Sequence, residues 1–242
     1  MSPLRKSHLA IAITTAPRLI PTLDRSVASL RAAGVALPLL VHADGACPPI
    51  TDAACDVVTR PEAVGALRHW VETLRLLLVR HSATHLLMLQ DDLTWARRSA
   101  RAIRYAWPHL APFWTWYVDP TVGRYLEQQH GPLMPGPYLS TLGARSNGAL
   151  CYGFTRELAE AILASPLLSA ALETHRQGID KRIPGICAAL GQPLQVWVPG
   201  LVNHELGSGN SSIKRKPPKD TRRWQAVAPG AAWRRLSSRV PR

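Results

Sequence analysis

The sequence predicts a mixed α/β domain in which a mostly parallel central sheet is flanked by helices. In the first 90 residues, three short apolar runs typical of buried strands alternate with two stretches of helical character. Strands and helices that alternate in this way form βαβ units, whose strands pair in parallel through right-handed crossovers. Hydrophobic residues make up 46% of the chain, which is enough to build a sizeable core.

The first half of the chain supplies the elements of this sheet. Gly34 ends the first helix, and apolar residues recur at steps of three and four along the second helix. The expected elements are a strand at 8–14, a helix at 22–33, a strand at 37–42, a helix around 64–78 and a strand at 85–90.

The second half begins with residues 105–147, which are rich in Trp, Pro and Gly and show little periodicity. We expect irregular loops around the active site there, with room for a short helix. The later elements are a strand at 148–154, a helix at 156–163, a helix around 183–190 and a strand at 194–198. We therefore expect one domain over residues 1–213, followed by a basic tail at 214–242.

The charge of the chain is strongly positive and unevenly spread. The formal net charge is +13, and ten basic residues against one acidic residue give +9 in the segment 214–242 alone. A second basic group comprises Arg97, Arg98, Arg101 and Arg104. Such an excess favours a polyanionic partner or an anionic surface, although a solvated, Arg-rich tail would have the same composition.

Two adjacent carboxylates, Asp91 and Asp92, follow the third predicted strand. Ligands of open α/β sheets bind outside the carboxyl ends of strands, and a buried charge must be paired or must coordinate a metal. Carboxylate oxygens suit Mg²⁺ or Mn²⁺, which bridge diphosphates. Asp92 would also suit the cap of a following helix, so the pair alone leaves both interpretations open.

Four segments in their order along the chain resemble the GT-A glycosyltransferases, over about residues 8–213. They are Thr14–Arg18 (TTAPR), Asp44, Gln90–Asp92 (QDD) and His204. GT-A enzymes hold the nucleotide with a first loop and an early Asp, and they place an acidic motif and a late His at a metal. Gln90 stands where the first acidic residue of that motif is expected, so the motif resembles its xDD variants.

The resemblance implies a GT-A, Rossmann-like fold and a metal-dependent transfer of a sugar from a nucleotide-diphosphate sugar, with a UDP-sugar expected. It implies that Asp92 and His204 bind Mn²⁺ or Mg²⁺, and that Asp91 contacts the ribose or reaches the metal through water. His204 would otherwise be an ordinary histidine of a surface loop. The residues that would hold the nucleoside are Thr14, Thr15, Arg18 and Asp44.

Further residues are candidates for the phosphates and the sugar. Arg68 begins the second helix, a place that meets the nucleotide-sugar in similar enzymes, although it would also be an ordinary surface arginine. A glycine- and serine-rich segment that contains Ser211 offers N–H groups and hydroxyls to phosphate, and Lys214 adds a cation. Asn147 and Gly148 would let the backbone approach the donor sugar closely.

The resemblance also assigns Asp180 as a general base, which takes the proton of an acceptor hydroxyl in an inverting reaction. The alternative role of Asp180 is the N-cap of a helix that begins near Lys181. Trp114, Trp116 and Tyr117 are candidates for stacking on a sugar or base, although aromatic residues more often belong to the core.

The acceptor is expected to be DNA, because small, strongly basic GT-A-like proteins resemble the phage enzymes that glycosylate hydroxymethylated pyrimidines such as 5-hydroxymethylcytosine. Basic residues would neutralise phosphates, and the modified base would leave the stack to reach the site. Two alternatives are a glycosyltransferase acting on surface polysaccharide or protein, and a noncatalytic DNA-binding protein. We expect a cytoplasmic protein whose four cysteines are reduced.

Overall fold

A computed structural model describes residues 8–18, 20–47, 50–143, 150–174 and 178–204 of the protein. Strands and helices alternate through most of these ranges. In chain order the elements are β1 (Leu9–Thr15), α1 (Leu23–Ala32), β2 (Leu39–Asp44), β3 (Cys55–Arg60), α2 (Ala66–Arg80), β4 (His85–Gln90), β5 (Leu93–Trp95), α3 (Ser99–Ala106), β6 (Phe113–Thr115), α4 (Pro120–His130), β7 (Gly136–Ser140), β8 (Cys151–Thr155), α5 (Arg156–Ala164), α6 (Pro166–Thr174), α7 (Ile179–Ala189), β9 (Leu194–Val198) and β10 (Val202–His204).

Eight strands form one sheet in the order β3-β2-β1-β4-β8-β6-β9-β7. The first four strands of this order are parallel to one another. Strand β8 is antiparallel to both β4 and β6, β9 is parallel to β6, and β7 closes the far edge in the antiparallel direction. Six of the eight strands therefore point the same way, which confirms the predicted mixed, mostly parallel sheet.

Helices cover both faces of the sheet, so its central strands are apolar on both sides. All seven residues of β1 and all six of β2 are buried. One core lies between the sheet and α2, α5 and α7, with Leu74, Ile162 and Ile183 as members. The other lies on the opposite face and includes Val27 of α1 and Ile103 of α3. The three-layer arrangement leaves the edge formed by the carboxyl ends of the strands free of packing helices.

The expectation of mainly irregular loops was wrong for residues 105–143, although the short helix allowed for there is present. This segment contains β6, α4 and β7. Asp119 caps α4, because its Oδ1 accepts the backbone N–H of Thr121 at 2.8 Å, and Pro120 occupies the first helical position. Only four residues of α4 are buried, so its apolar periodicity is sparse in the sequence.

Several predicted boundaries were correct and others shifted. Strands β4 and β9 match the expected ranges, whereas β2 continues through Asp44, which the sequence placed in a turn. Strand β3 was missed because it is an edge strand with mostly exposed or half-buried side chains. Helix α7 begins at Ile179 with Gly178 as its N-cap, so Asp180 lies in the first turn and is not the cap.

The four cysteines are free thiols, as expected. Among the helices in the described ranges, none combines the length and the apolar character needed to span a bilayer.

Gly153 of β8 lies opposite Trp114 of β6, and the indole ring covers its backbone. A Cβ atom at Gly153 would lie 2.0 Å from the Trp114 ring, far inside van der Waals contact. The ring is completely buried, so it has no free space into which to move. The absence of a side chain at residue 153 is therefore required by the packing of two central strands.

We predict that Gly153→Ala lowers the free energy of unfolding by about 3 kcal/mol, the upper range for overpacking a core. The measurement is urea unfolding followed by circular dichroism. Gly178→Ala is the matched control, because a Cβ there meets nothing within 4 Å and its φ is −70°. Equal stability of the two variants would contradict the packing account.

Candidate active site

The carboxyl ends of β1, β4, β6 and β9 meet at one edge of the sheet, where the chain places two adjacent buried carboxylates and the buried hydroxyl of Thr15. Arg18 follows β1, Asp91 and Asp92 follow β4, and Tyr117 follows β6. His204 arrives on the short strand β10, whose pairing with β5 sets it opposite Leu93, the residue after Asp92. Ligands of open α/β sheets bind at this kind of edge.

Asp91 is almost completely buried and is held by two residues from the end of β1. Its Oδ2 accepts the Thr15 hydroxyl at 2.6 Å and Arg18 Nε at 3.1 Å, while Oδ1 pairs with the other side of the same guanidinium. Burial raises the pKa of Asp91 against the opposing effects of Arg18 and Thr15. Both oxygens are engaged within the protein, so this geometry favours a role in anchoring the 15–18 segment.

Asp92 has a different environment, although it is the next residue. Its Oδ2 lies 3.0 Å from His204 Nε2 and 3.2 Å from Arg18 Nη1. Its Oδ1 is buried and has no hydrogen-bond partner among the described residues. Burial alone would raise the pKa of Asp92, but His204 and Arg18 outweigh it and lower that pKa. Asp92 is therefore an ionised carboxylate with one oxygen available to a ligand.

The Asp92 and His204 pair fits a divalent cation that also binds a diphosphate. An orphaned carboxylate oxygen and an imidazole nitrogen are donors that Mn²⁺ accepts, and Mg²⁺ accepts the carboxylate. Within the described ranges, no group of three or more His, Cys, Asp or Glu side chains is arranged around a common metal position. Two protein ligands match sites in which phosphates and waters complete the coordination shell.

The other residues assigned to the nucleoside form internal hydrogen bonds. The Thr14 hydroxyl donates to the backbone carbonyl of Leu89 at 3.1 Å. The Asp44 carboxylate accepts the N–H of Val64 at 2.8 Å and that of Gly65 at 3.1 Å. Asp44 thus fixes the segment that leads into α2, and contact between these residues and a nucleoside remains a prediction.

Helix α2 begins directly after Gly65, whose φ of +87° favours glycine. Arg68 is exposed in the first turn of this helix, as a residue that meets a ligand would be. The next two residues, His69 and Trp70, are buried against the sheet side of α2.

Trp114 and Trp116 are fully buried in the core, so they do not stack on a ligand. Tyr117 is only half-buried and follows them toward the site edge. Burial is the largest cause that raises the pKa of Tyr117. The negative charges of Asp119, Asp180 and Asp92 add to this effect.

Asp119 is a carboxylate that the sequence interpretation missed, because an Asp before a Pro signals a helix cap. Burial raises the pKa of Asp119, and the charge of Asp180 raises it further. The N–H groups at the start of α4 lower it, but they do not outweigh burial.

Four predicted site residues lie outside the described residues, and so does the basic tail 214–242. They are Asn147, Gly148, Ser211 and Lys214.

The four arginines of the second basic group are exposed on and just before α3. Within the described ranges, none of them forms an ion pair with an acidic residue. The N–H of Ala100 in α3 donates to the carbonyl of Ala33 at the end of α1. Helix α1 starts at the site edge and ends at the opposite edge, so α3 extends away from Asp92. We call Arg97, Arg98, Arg101 and Arg104 the arginine surface.

Neither a protein-family model nor a curated protein matches the sequence. The fold is similar to those of many solved structures, and three of them, all at low sequence identity, illustrate the likeness. One is a mannosyltransferase from Pyrobaculum calidifontis in complex with GDP-Man and Mn²⁺. It has 13% sequence identity to this chain and a TM-score of 0.47, and the match covers 77% of this chain and 56% of the mannosyltransferase. A nucleotidyl transferase from Methanothermobacter has 12% identity and a TM-score of 0.48, with 78% and 86% of the two chains covered.

The third structure is the protein A197 from STIV, at 8% identity and a TM-score of 0.44, with 82% of this chain and 87% of that chain covered. The match therefore spans only 56% of the mannosyltransferase but most of the other two chains. At these scores, the three likenesses decide nothing about substrate or activity.

Two histidines pack against each other beside the site, at the junction of β2 and α2. The His42 and His69 ring centroids are 4.5 Å apart, and His42 Nδ1 lies 2.8 Å from the Thr73 hydroxyl. The Nε2 of His69 is buried without a partner. Burial, reinforced by the neighbouring His42, lowers the pKa of His69 to about 4.

We predict that acid destabilises the protein through His69. The unfolded chain takes up this proton near pH 6.5 and the folded chain only near pH 4, so stability is complete above pH 6.5 and falls by up to about 3 kcal/mol as the pH drops to 4. The measurement is urea unfolding between pH 7 and 4. His69→Asn should flatten this dependence, whereas exposed His130→Asn should not. An unchanged slope in His69→Asn would contradict the assignment.

Proposed function

We propose that the protein is a metal-dependent glycosyltransferase that transfers a sugar from a nucleotide-diphosphate sugar to a hydroxyl acceptor. The observation that carries this proposal is the buried, unpartnered Oδ1 of Asp92 beside His204, at the carboxyl edge of the sheet. An unsatisfied buried carboxylate oxygen is costly for a fold and calls for a cation or donor from outside.

The donor is bound by residues on both sides of this oxygen. Asp92 and His204 hold Mn²⁺ or Mg²⁺, which when bound neutralises charge on the departing diphosphate. The exposed Arg68 at the start of α2 faces phosphate oxygens, and the positive end of the helix dipole supports it. The Thr14–Arg18 segment and Asp44 shape the nucleoside side, where a UDP-sugar is the expected donor.

The acceptor is activated by Asp180 in the first turn of α7. Its carboxylate takes the proton of the acceptor hydroxyl as that oxygen bonds to the anomeric carbon. The bond from the anomeric carbon to the diphosphate breaks, and its electron pair leaves with the nucleoside diphosphate. Attack opposite the leaving group inverts the anomeric configuration.

The acceptor in this proposal is hydroxymethylated pyrimidine in phage DNA. Its support is the net charge of +13 and the arginine surface, which within the described ranges has no acidic partners. Arg97 is five residues beyond Asp92, a span of at most about 18 Å in extended chain. Because the arginine surface lies away from Asp92, a duplex that presents a flipped base to the site would have to extend around the protein to reach that surface.

The test is release of nucleoside diphosphate from a panel of UDP-sugars in the presence of Mn²⁺. We predict that Asp92→Asn lowers this release by about 10²–10³-fold, the cost of losing a group that stabilises the transition state. Asp56→Asn is the matched control, because that carboxylate is exposed on β3 and pairs with Arg80. Equal release by wild type and Asp92→Asn would contradict the proposed metal site.

The same assay distinguishes the acceptors and the alternative activities. Stimulation by hydroxymethylated duplex DNA, but not by unmodified DNA, supports the DNA acceptor. Metal-dependent release that ignores DNA moves the acceptor to a polysaccharide or protein. Release of pyrophosphate indicates nucleotidyl transfer, and tight DNA binding without turnover of any donor indicates a noncatalytic protein.

A further inference from the structure

Arg18 is a cation that lies against the carboxylate assigned to the metal. Its Nη1 lies 3.2 Å from Oδ2 of Asp92, and His204 Nε2 lies 3.0 Å from the same oxygen. Asp92 thus presents one oxygen to two nitrogen groups, while its Oδ1 has no partner among the described residues. A cation that binds Asp92 and His204 therefore lies close to the guanidinium of Arg18.

The guanidinium is fixed in place by its other edge. Its Nε lies 3.1 Å from Oδ2 of Asp91, and its Nη2 pairs with Oδ1 of the same carboxylate. Asp91 is in turn held by the Thr15 hydroxyl at 2.6 Å. A planar guanidinium with two nitrogens bound in this way has the direction of its third nitrogen set as well. The contact of Nη1 with Asp92 is therefore built into the ends of β1 and β4.

Anchoring the 15–18 segment does not require the contact with Asp92. Both oxygens of Asp91 are already engaged by Thr15 and by one edge of Arg18. The side chain of Arg18 is 19% exposed, whereas those of Asp91 and Asp92 are 1% and 8% exposed. The guanidinium therefore lies on the solvent side of the carboxylates, where an incoming anion can reach it.

The charges of this cluster make a divalent cation and Arg18 competitors. Two carboxylates against one guanidinium give a formal net charge of 1 − 2 = −1, with His204 counted as neutral. A divalent cation at Asp92 would face the positive charge of Arg18 across a few ångströms and be repelled by it. A diphosphate removes this conflict, because its oxygens accept hydrogen bonds from a guanidinium and also bind the cation.

We propose that Arg18 is a positioning residue that makes the divalent cation and the diphosphate bind together. Without a diphosphate, Nη1 of Arg18 competes with the cation for Asp92 and keeps the affinity for the cation low. When a nucleoside diphosphate binds, the same Nη1 donates to a phosphate oxygen, and Asp92 is left to the cation. This inference rests on the proposed glycosyltransferase function and its metal site.

The test is a titration of Mn²⁺ followed by electron paramagnetic resonance, with and without UDP. In the double variant Arg18→Gln/Asp91→Asn, both partners of the buried pair lose their charge together, so no unpaired charge stays buried. We expect this variant to bind Mn²⁺ alone about 10-fold more tightly than the wild type, the effect of removing one charge-assisted hydrogen bond from Asp92. UDP should then tighten Mn²⁺ binding less than it does in the wild type.

The single variant Asp91→Asn should change the affinity in the opposite direction. It keeps the guanidinium but removes the charge that shares it with Asp92, so Arg18 competes more strongly and Mn²⁺ alone binds more weakly than in the wild type. A role in the fold alone does not produce opposite signs in the two variants. Arg80→Gln/Asp56→Asn is the matched control, because it removes an exposed Arg–Asp pair between α2 and β3, and it should leave Mn²⁺ binding unchanged.

Two results would overturn the inference and leave the metal site in place. One is unchanged or weaker binding of Mn²⁺ alone by the folded double variant, and the other is a UDP effect as large as in the wild type. Where the double variant does not fold, Asp91→Asn decides, and equal or tighter binding of Mn²⁺ alone contradicts the competition. Failure of the wild type to bind Mn²⁺ with or without UDP overturns both the metal site and the role of Arg18.

Discussion

The guanidinium of Arg18 is the interaction on which the site edge depends. Two adjacent carboxylates at the end of a central strand are both at least nine-tenths buried, and such charges are costly unless they are paired. Arg18 contacts both Asp91 and Asp92, and it satisfies Asp91 completely together with Thr15. The same cation leaves one oxygen of Asp92 unpaired. The contacts of Arg18 thus differ between the two carboxylates, so Asp91 is an anchor and Asp92 is the proposed metal ligand.

The second requirement is the pairing of β5 with β10. It brings His204 to Asp92 across 112 residues of sequence, and it also positions the chain beside Tyr117. The sheet supplies the remaining geometry, because neighbouring parallel strands end at the same edge. The proposed metal ligands and the proposed base therefore come from three different parts of the chain. The arginine surface lies apart from them, so an acceptor that uses both must be extended.

Much of the sheet was predictable, because buried parallel strands such as β4 and β9 are continuous apolar runs. The edge strand β3 and helix α4 lack that pattern, since few of their side chains are buried. The pairing of Asp92 with His204 was expected from the resemblance. The anchoring of Asp91 by Thr15 and Arg18 was not expected, because it depends on which oxygens those two side chains reach. Asp119 was missed because its local sequence indicates a cap, and a cap is also what it forms.

The central claim is that Asp92 and His204 bind a divalent cation whose remaining ligands come from a diphosphate. The most direct measurement is electron paramagnetic resonance of Mn²⁺ titrated with the protein, with and without UDP. We predict that UDP tightens Mn²⁺ binding in the wild type and that this coupling is lost in both Asp92→Asn and His204→Ala. Mn²⁺ binding that ignores UDP, or that survives in both variants, would contradict the claim.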